Sequence, residues 1–318
     1  MKNLLKGKII KVFSPATVSN VGCGFDVFGF ALNSPGDEIV LKIVTTPGVK
    51  LKKITGDGGK LPIDETKNTA TVSLSAMLKV LDFKFGIEVE LRKKMPLGSG
   101  LGSSAASAVA SVFALNSILK DPLPKNELIK FALEGEKIAS GKNPHLDNIA
   151  PCLLGGFTIV RSSSPIDIVK IPFPKNLFCT VIHPHVEIKT EFARNILPNK
   201  IFLSDAIKQW GNAASLVAAL NNSDFGLLKR SIEDFVAEPV RYKLIPNYVG
   251  LKDAALKNNS VGCNISGSGP SVFALSKNLG DAKIIGTEMK KVLSKNKVGC
   301  DVYISKINTH GPIVLSLK

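Results

Sequence analysis

The first half of the chain shows two hydrophobic patterns in turn. Runs of β-branched or alternating apolar residues predict strands at 8–14, 38–45, 87–92 and 157–161. Apolar residues three and four positions apart predict helices at 68–81, 103–120 and 126–139. Pro122 and Pro124 end the second of these helices, because proline cannot continue a helix.

The second half repeats both patterns in another order. Strands are predicted at 178–183, 261–266, 272–276 and 300–307, and helices at 203–221, 225–234, 246–258 and 281–294. The order β-α-α-α-β-β-α-β predicts an α+β sandwich and not a doubly wound sheet. A new unit begins near Pro172, so we expect two closely packed domains, 1–171 and 172–318, with a cleft between them.

Composition excludes several classes of protein. The chain has 318 residues, 44% of them hydrophobic, and no apolar run long enough to cross a membrane. Its N-terminus lacks the apolar core of a signal peptide, and its five cysteines are scattered, which predicts reduced thiols in a cytoplasmic protein. The net charge of +15 is spread along the chain with few aromatic residues, so it indicates a solvated surface and not a nucleic-acid site. Such a surface also attracts anionic small molecules.

A glycine-rich segment carries the strongest chemical signal. Pro96 to Ala106 reads PLGSGLGSSAA and leads from a predicted strand into a helix of small residues. The glycines let backbone N–H groups approach a ligand, and the helix start adds unpaired N–H groups and a positive dipole end. A phosphate fits this arrangement, and Ser103 and Ser104 can offer oxygens to phosphate or Mg²⁺. The segment is neither a P-loop nor a dinucleotide fingerprint, so the alternative is a turn that only joins strand and helix.

Three further segments combine polar residues with sharp turns. SPATVSNVGCGFDVFG carries Asn20 and Asp26, which suit either a small polar substrate or an Asx-turn capped by Asp26. In EKIASGKNPHLDN, Glu136 can provide an oxygen ligand for Mg²⁺, and His145 and Asp147 can contact a polar substrate. The alternative is that Glu136 and Asp147 are solvated charges at helix ends. VGCNISGSGPSVFA predicts either an ordinary hairpin or a close approach to a ligand.

Together these segments resemble the motifs of the GHMP kinase superfamily. PLGSGLGSSAA is similar to its phosphate-binding motif and NISGSGPSVFAL to its third motif. The opening SPATVSNVGCGFDVFGFAL and the later HLDNIAPCLLGGF, KTEFARNILP and EDFVAEPVRYKLIP resemble the homoserine kinase family, in order, from about residue 12 to 275. The resemblance implies a two-domain fold with an N-terminal β/α domain, a C-terminal ferredoxin-like α/β sandwich and an active site in the cleft between them.

The resemblance also implies an activity. It is ATP-dependent phosphorylation of the L-homoserine side-chain hydroxyl, a step in threonine biosynthesis, with Mg²⁺ as cofactor and a homodimer as the usual assembly. The alternatives are another GHMP-type kinase with a mevalonate- or sugar-like substrate, a nucleotide-binding regulator without catalysis, and a nucleic-acid binder suggested by the charge. An amino-acid substrate offers a carboxylate that arginine can bind and an ammonium that Asp or Asn can bind. Only five of the 41 basic residues are Arg, and two of these five, Arg194 and Arg241, lie in the segments that carry the resemblance.

Roles for individual residues follow from the same resemblance. The ATP site would comprise Asn68 near the adenine, and Pro96, Leu97, Gly98, Ser99, Gly100, Leu101, Gly102, Ser103 and Ser104 around the phosphates. Homoserine would be bound by Asn20, Asp26, His145 and Asp147, with Arg194 and Arg241 on its carboxylate. The catalytic set would be Asp26, Glu136, Ser104 and Thr190, of which Ser104 and Glu136 would also hold Mg²⁺. The segment between Glu136 and His145 is one residue longer than the family pattern, which makes Glu134 the alternative ligand. Asp26 is either a base or a residue that positions the hydroxyl.

Overall fold

A computed structural model describes residues 6–82, 84–141 and 144–318. The strands are β1 (Ile9–Ser19), β2 (Phe28–Val44), β3 (Gly48–Thr55), β4 (Gly86–Arg92), β5 (Phe157–Ser163), β6 (Ile166–Ile171), β7 (Phe178–Pro184), β8 (Gly262–Ile265), β9 (Val272–Ser276), β10 (Cys300–Lys306) and β11 (Ile313–Leu317). The α-helices are α1 (Thr69–Val80), α2 (Ser103–Asn116), α3 (Ile129–Ser140), α4 (Leu146–Leu154), α5 (Thr190–Asn195), α6 (Leu203–Asn222), α7 (Phe225–Ser231), α8 (Glu238–Arg241), α9 (Tyr248–Lys257) and α10 (Leu279–Lys295).

Two sheets organise these elements. The seven-stranded sheet has the order β11-β1-β2-β4-β3, and β5 and β6 extend it from β2. Its pairs are antiparallel apart from β3 with β4, which run parallel. The second sheet has the antiparallel order β10-β7-β9-β8. Both sheets are mainly antiparallel and combine with helices, so the α+β class predicted from the sequence is confirmed.

Helix α2 lies at the centre of the first half. Its buried residues are mostly small, and they include Ala105, Ala106, Ala108 and Ala110. Small side chains let the backbones of α1, α3 and α4 approach α2 closely, and α2 also packs on β1 and β2. This packing fixes the first turn of α2, which begins directly after the glycine-rich segment.

The second half packs helices on one face of its sheet. Buried residues of α9 and α10, among them Leu251, Ile285 and Met289, form one core cluster with Ile182, Ile265 and Val272 of the sheet. This is the α/β sandwich predicted for the C-terminal part. In the described ranges, none of the helices is long and apolar enough to cross a membrane.

Several elements differ from the sequence-based prediction. The strand predicted at 38–45 is only the end of β2, which begins at Phe28 and passes through Pro35. Helix α4 was not predicted, because it contains Pro151 and is buried on almost all sides, so it has no amphipathic period. The short elements β3, β6 and α5 were missed as well, and α2 ends at Asn116, before residue 120.

The end of the chain returns to the first sheet. Strand β11 was not predicted, and it pairs antiparallel with β1, Ile10 lying opposite Leu317. Residues 313–317 therefore belong to the sheet of the N-terminal half, although the division at 171 and 172 assigned them to the second domain. That division otherwise stays a prediction.

Candidate active site

A cavity of about 430 Å³ lies between the two halves of the chain. It is lined by segments around the glycine-rich loop, the loop after β1, the ends of α3 and α5, the start of α4 and the turn between β8 and β9. The predicted site residues that line it are Asn20, Asp26, Asn68, Leu97, Gly98, Ser99, Gly100, Leu101, Gly102, Ser103, Ser104, Glu136, His145, Asp147, Thr190, Arg194 and Arg241. The lining of the glycine loop begins at Leu97, so Pro96 lies outside the cavity wall.

The glycine loop (Leu97–Ser104) is held in place by its carbonyl groups. The oxygen of Leu101 accepts from the Thr17 N–H at 3.0 Å, and that of Gly100 accepts from the Ser266 hydroxyl at 2.7 Å. Gly100 has φ of 75°, and a Cβ there would lie 2.3 Å from the Ser266 carbonyl oxygen. Gly102 has φ of 68° and no room beside Thr17. Both positions therefore need glycine for conformation and for space.

The two serines at the start of α2 have different partners. The Ser104 hydroxyl donates to Oε2 of Glu136 at 2.8 Å and faces the cavity. The Ser103 hydroxyl donates instead to Oδ2 of buried Asp37 at 2.7 Å. The predicted use of the Ser103 side chain as a phosphate or metal ligand is therefore not supported by its hydrogen bond, whereas its backbone lies at the helix N-terminus, where N–H groups lack intrahelical partners.

Glu136 is a buried carboxylate, only 3% exposed. Burial raises its pKa to about 7, and the nearby His145 and the Ser104 hydroxyl counteract only part of this effect. A buried carboxylate beside a hydroxyl at a cavity wall is suited to a cation, which would restore the charged form. The residues present therefore fit Mg²⁺. The alternative Glu134 is an exposed residue that pairs with Lys137.

Asn68 also lines the cavity, at the start of α1. It caps α1, because its Oδ1 accepts from the Ala70 N–H at 3.1 Å. The wall around it is partly apolar and includes Leu61, Pro62 and Ile138. A flat apolar base such as adenine fits this wall. Asn68 was predicted from the family resemblance, whereas its apolar neighbours were not, since single apolar residues from separate segments form no motif.

The loop after β1 has an unusual backbone. Asn20, Val21 and Asp26 have φ of 69°, 45° and 57°, a region that a β-branched residue such as Val21 rarely adopts. The Asn20 side chain maintains this shape, since its Oδ1 accepts from the Asp26 N–H at 3.0 Å and its Nδ2 donates to the Gly267 carbonyl at 2.8 Å. The Asn20 amide therefore fixes Asp26 against the β8–β9 turn.

Asp26 and two arginines form the charged centre of the site. Both carboxylate oxygens of Asp26 accept from the Arg194 guanidinium at 2.9 Å, in a bidentate pair. Arg241 is 3% exposed, and it donates to the carbonyls of Ala193 and Gly267. Burial lowers the pKa of Arg241 to about 10, so it stays charged at neutral pH. Arg241 is therefore a buried cation at the cavity wall and not a surface charge.

The start of α4 contributes His145 and Asp147. Burial raises the pKa of Asp147 to about 7, with Asp26 adding to the effect, and burial lowers the pKa of His145. Oδ2 of Asp147 is buried and lacks a hydrogen-bond partner. Ligand atoms of Asp26, His145 and Asp147 lie within 4.8 Å of one another. A cationic group, either a substrate ammonium or a metal ion, would give the Asp147 carboxylate the partner it lacks.

The turn between β8 and β9 closes the site from the second half. It joins two antiparallel strands, so the predicted hairpin is present. The turn also contacts the first half, since the Gly267 N–H donates to the Ser19 carbonyl at 3.1 Å. Ser268 lines the cavity, and its hydroxyl lies 3.4 Å from that of Thr190.

Some polar residues near the cavity had no signal in the sequence. Lys60 and Glu187 line its mouth and form an ion pair at 2.9 Å across it. Asp37 and Lys93 form a buried ion pair at the start of α2, and Lys93 also lines the cavity. Isolated charged residues in unrelated segments form no motif, and only the folded chain brings them together.

Comparison with known families gives two matches in succession along the chain. Residues 68–156 match the N terminal domain of the GHMP kinases. Residues 216–295 match the GHMP kinases C terminal domain. The first match contains the glycine loop and α4, and the second contains the β8–β9 turn.

Individual relatives extend the similarity to nearly the whole chain. The homoserine kinase of Chlorobium phaeobacteroides is 45% identical over 320 aligned residues, which cover 97% of this chain and 100% of the relative. The homoserine kinase of Pyrococcus abyssi is 39% identical over 93% of this chain and 96% of the relative.

Solved structures agree with these relatives. A crystal structure of homoserine kinase from Cytophaga hutchinsonii is 53% identical, covers 96% of this chain and 97% of its own, and superimposes with a TM-score of 0.94. A mevalonate kinase from L. major reaches a TM-score of 0.70 at 16% identity, covering 95% of this chain and 98% of its own. At that identity the likeness to mevalonate kinase shows the fold alone.

Proposed function

The chain belongs to the homoserine kinase family of the GHMP kinases. We propose that its cavity has two walls and that each wall binds one of the two substrates. The glycine-loop wall binds ATP, and the charged wall around Asp26 binds homoserine. The observation that carries this assignment is that the N-terminus of α2 and the Asp26, His145 and Asp147 cluster open into one cavity. The two substrates can therefore meet inside it.

The enzyme phosphorylates homoserine with ATP. The side-chain oxygen of homoserine forms a bond with the γ-phosphorus, and the bond from that phosphorus to the bridging oxygen of ADP breaks. The products are ADP, O-phospho-L-homoserine and the proton of the hydroxyl. Such transfer depends on alignment and on stabilising the developing charge more than on covalent chemistry by the protein.

On the ATP wall, the glycine loop and the first turn of α2 surround the phosphates. Backbone N–H groups and the positive end of the helix dipole stabilise their negative charge. The adenine packs near Asn68 on the apolar surface of Leu61, Pro62 and Ile138. We do not assign the Ser103 hydroxyl to the phosphates, because it donates its hydrogen bond to Asp37.

Ser104 and Glu136 are the residues that would hold Mg²⁺. Their side chains are in contact at 2.8 Å, and the buried Glu136 carboxylate needs a positive partner to remain ionised. When bound, Mg²⁺ neutralises charge on the phosphate oxygens during transfer. The Ser104 hydroxyl oxygen and the Glu136 carboxylate are the two groups that the chain would offer to the ion.

On the homoserine wall, charge complementarity sets the orientation of the substrate. Asp147 and Asp26 receive the ammonium, and the unpartnered Oδ2 of Asp147 is the acceptor available for it. Arg241 and Arg194 receive the carboxylate through their guanidinium groups. With both ends of the amino acid fixed, the hydroxyl points toward Thr190 and Ser268, where the γ-phosphate is transferred.

Asp26 acts by positioning in this proposal and not as a base. Both of its oxygens already accept from Arg194, and Asn20 holds its backbone. A carboxylate in this arrangement orients Arg194 and the ammonium. The hydroxyl proton then leaves to the transferred phosphate or to water.

A coupled ADP-release assay tests the substrate assignment. The panel consists of homoserine, serine, threonine, mevalonate and galactose. We expect turnover with homoserine and a fall in kcat/KM of at least about 100-fold for mevalonate and galactose, which lack an ammonium for Asp147. Equal rates with mevalonate would remove the assignment of the charged wall.

Assembly and location remain proposals of the same kind. We propose a cytoplasmic location, supported by five cysteines that are all free and of which four are buried. We propose a homodimer as well, which rests on the resemblance to the homoserine kinase family alone. Sedimentation equilibrium should give twice the mass of one chain. A monomer across the working concentration range would contradict the dimer.

A further inference from the structure

One buried carboxylate bonds to both ends of the glycine loop. Before the loop, Oδ1 of Asp37 accepts from the N–H groups of Lys94 and Met95 at 2.8 and 3.1 Å. At the C-terminal end of the loop, Oδ2 of Asp37 accepts from the Ser103 hydroxyl at 2.7 Å. Asp37 itself lies in β2, on a third element, and is 2% exposed. The two ends of the loop are thus tied to one rigid strand.

Lys93 completes this buried network. Its ammonium pairs with Oδ2 of Asp37, and it donates to the Ser103 carbonyl at 2.9 Å and to the Ser107 hydroxyl at 2.7 Å. Each of its three N–H donors therefore has an acceptor. Two of those acceptors lie in the first turns of α2, so the ion pair fixes the helix end that faces the cavity.

A gain in stability is a poor explanation for this pair. Transferring two charges from water into a protein interior costs about as much as their attraction returns, and an apolar pair of similar size often serves stability equally well. A fully bonded pair fixes geometry instead, since each hydrogen bond has a preferred direction. The geometry fixed here is the span between residues 95 and 103, over which the loop must place its N–H groups.

We propose that Asp37 is a positioning residue for nucleotide binding, acting through both ends of the glycine loop. This inference rests on the proposed function, in which the loop surrounds the ATP phosphates. Asp37 does not line the cavity, so it acts on the nucleotide only through the loop. Its effect is to keep the loop N–H groups converging on one point before ATP arrives, which reduces the ordering that binding requires.

The primary test compares Asp37→Asn with Glu38→Gln. The two carboxylates are neighbours in β2, and Glu38 also pairs with lysines, Lys11 and Lys94, but it has no bond to Ser103 or to α2. Binding of Mg²⁺ with a non-hydrolysable ATP analogue is measured by calorimetry, and KM is measured for both substrates. For Asp37→Asn we expect analogue binding weaker by about tenfold or more, and a KM for homoserine within about twofold of the parent value.

The control variant and the parent protein distinguish failure of the proposed function from failure of the Asp37 proposal. Glu38→Gln should bind the analogue within about twofold of the parent. If the parent chain itself fails to bind the analogue, the proposed function fails. If the parent binds and Asp37→Asn binds equally well, the positioning role of Asp37 is overturned and the proposed function stands.

A second variant distinguishes an effect on the position of the loop from an effect on the stability of the fold. Asp37→Asn leaves the Lys93 ammonium buried without its partner and can lower stability for that reason alone. The double variant Asp37→Asn/Lys93→Met removes that charge, so its Tm should return toward the parent value while analogue binding stays weak by about tenfold. Recovery of both together would show that the network only stabilises the fold.

A milder variant applies if neither of these folds. Ser103→Ala removes one bond of Asp37 and leaves the ion pair intact. We expect analogue binding weaker by about threefold, with an unchanged KM for homoserine. Unchanged analogue binding in a folded Ser103→Ala protein would overturn the proposal on its own.

Discussion

The two walls of the cavity are built in different ways. The phosphate-binding part of the glycine-loop wall is one continuous segment, Leu97 to Ser104, and its binding groups are mainly backbone N–H groups at a helix start. The charged wall takes its side chains from four separate segments, which carry Asp26, His145 with Asp147, Arg194 and Arg241. The first wall depends on a backbone shape, and the second depends on the packing of two halves of the chain.

This difference explains how each wall stays rigid. The glycine loop is fixed by bonds to its carbonyl groups and by Asp37 at its ends. The charged wall is fixed by pairing among its own members, such as Asp26 with Arg194, and by the Asn20 side chain. Substitutions on one wall should therefore change the kinetic and binding constants of one substrate and leave those of the other unchanged.

The largest effect should come from Glu136→Gln at the metal end of the ATP wall. Loss of the metal ligand removes several kcal/mol of charge stabilisation, so kcat/KM for ATP should fall by about 1000-fold. Glu134→Gln is the matched control, because Glu134 lies on the same helix but is exposed. Steady-state kinetics at varied Mg²⁺ check the prediction, and an equal loss in Glu134→Gln would move the metal site there.

The next effect should come from Arg241→Lys on the charged wall. Lysine cannot supply the donors of the guanidinium to the homoserine carboxylate, so the KM for homoserine should rise by about 10- to 100-fold, because a hydrogen bond to a charged group contributes about 1.5–3 kcal/mol. Binding of ATP should stay within about twofold. Arg230→Lys on the exposed face of α7 is the control. A comparable change in ATP binding would break the separation of the walls.

Asp26→Asn distinguishes the two roles left open by the sequence. If Asp26 positions the substrate, the variant should have a KM for homoserine higher by about tenfold and a kcat within a few-fold of the parent, because the asparagine side chain still accepts a hydrogen bond. A general base predicts instead a kcat lower by more than about 100-fold. Pre-steady-state measurement of the chemical step decides between them, and the second outcome would overturn the positioning role.

The pH dependence should follow Glu136. Its pKa of about 7 in the folded chain exceeds the ordinary value of 4.5, so the folded state binds its proton more tightly than the unfolded state. In the metal-free protein, the stability associated with this proton is present below the unfolded pKa and is lost as pH rises from about 4.5 through about 7.

The raised pKa of Glu136 can be checked by thermal unfolding and by ligand binding at several pH values. Glu136→Gln should have a Tm a few degrees above the parent at pH 8 without Mg²⁺, and the difference should shrink on acidification. Binding of Mg²⁺ with the ATP analogue should weaken in the parent as pH falls below about 7. A Tm difference independent of pH would contradict a buried, proton-binding Glu136.

Much of the fold was accessible from local pattern. The strands at β7, β9 and β10 and the helices α1, α6 and α10 were predicted close to their bounds, because their hydrophobic periods are regular. The pattern failed where burial is complete or where proline interrupts it, as in α4 and at the start of β2. It also failed for β11, whose position depends on pairing with β1, almost the whole chain away.

The sequence by itself determined the glycine loop, the small-residue helix behind it and the family, because these depend on residues that are adjacent or ordered along the chain. The tertiary structure alone decided that the Ser103 hydroxyl bonds to Asp37, that Arg194 pairs with Asp26 and that Asp147 keeps an unpartnered oxygen. Hydrogen bonds and burial depend on distances between groups that are remote in sequence. Only the packed chain fixes those distances, and with them the charge that each group carries.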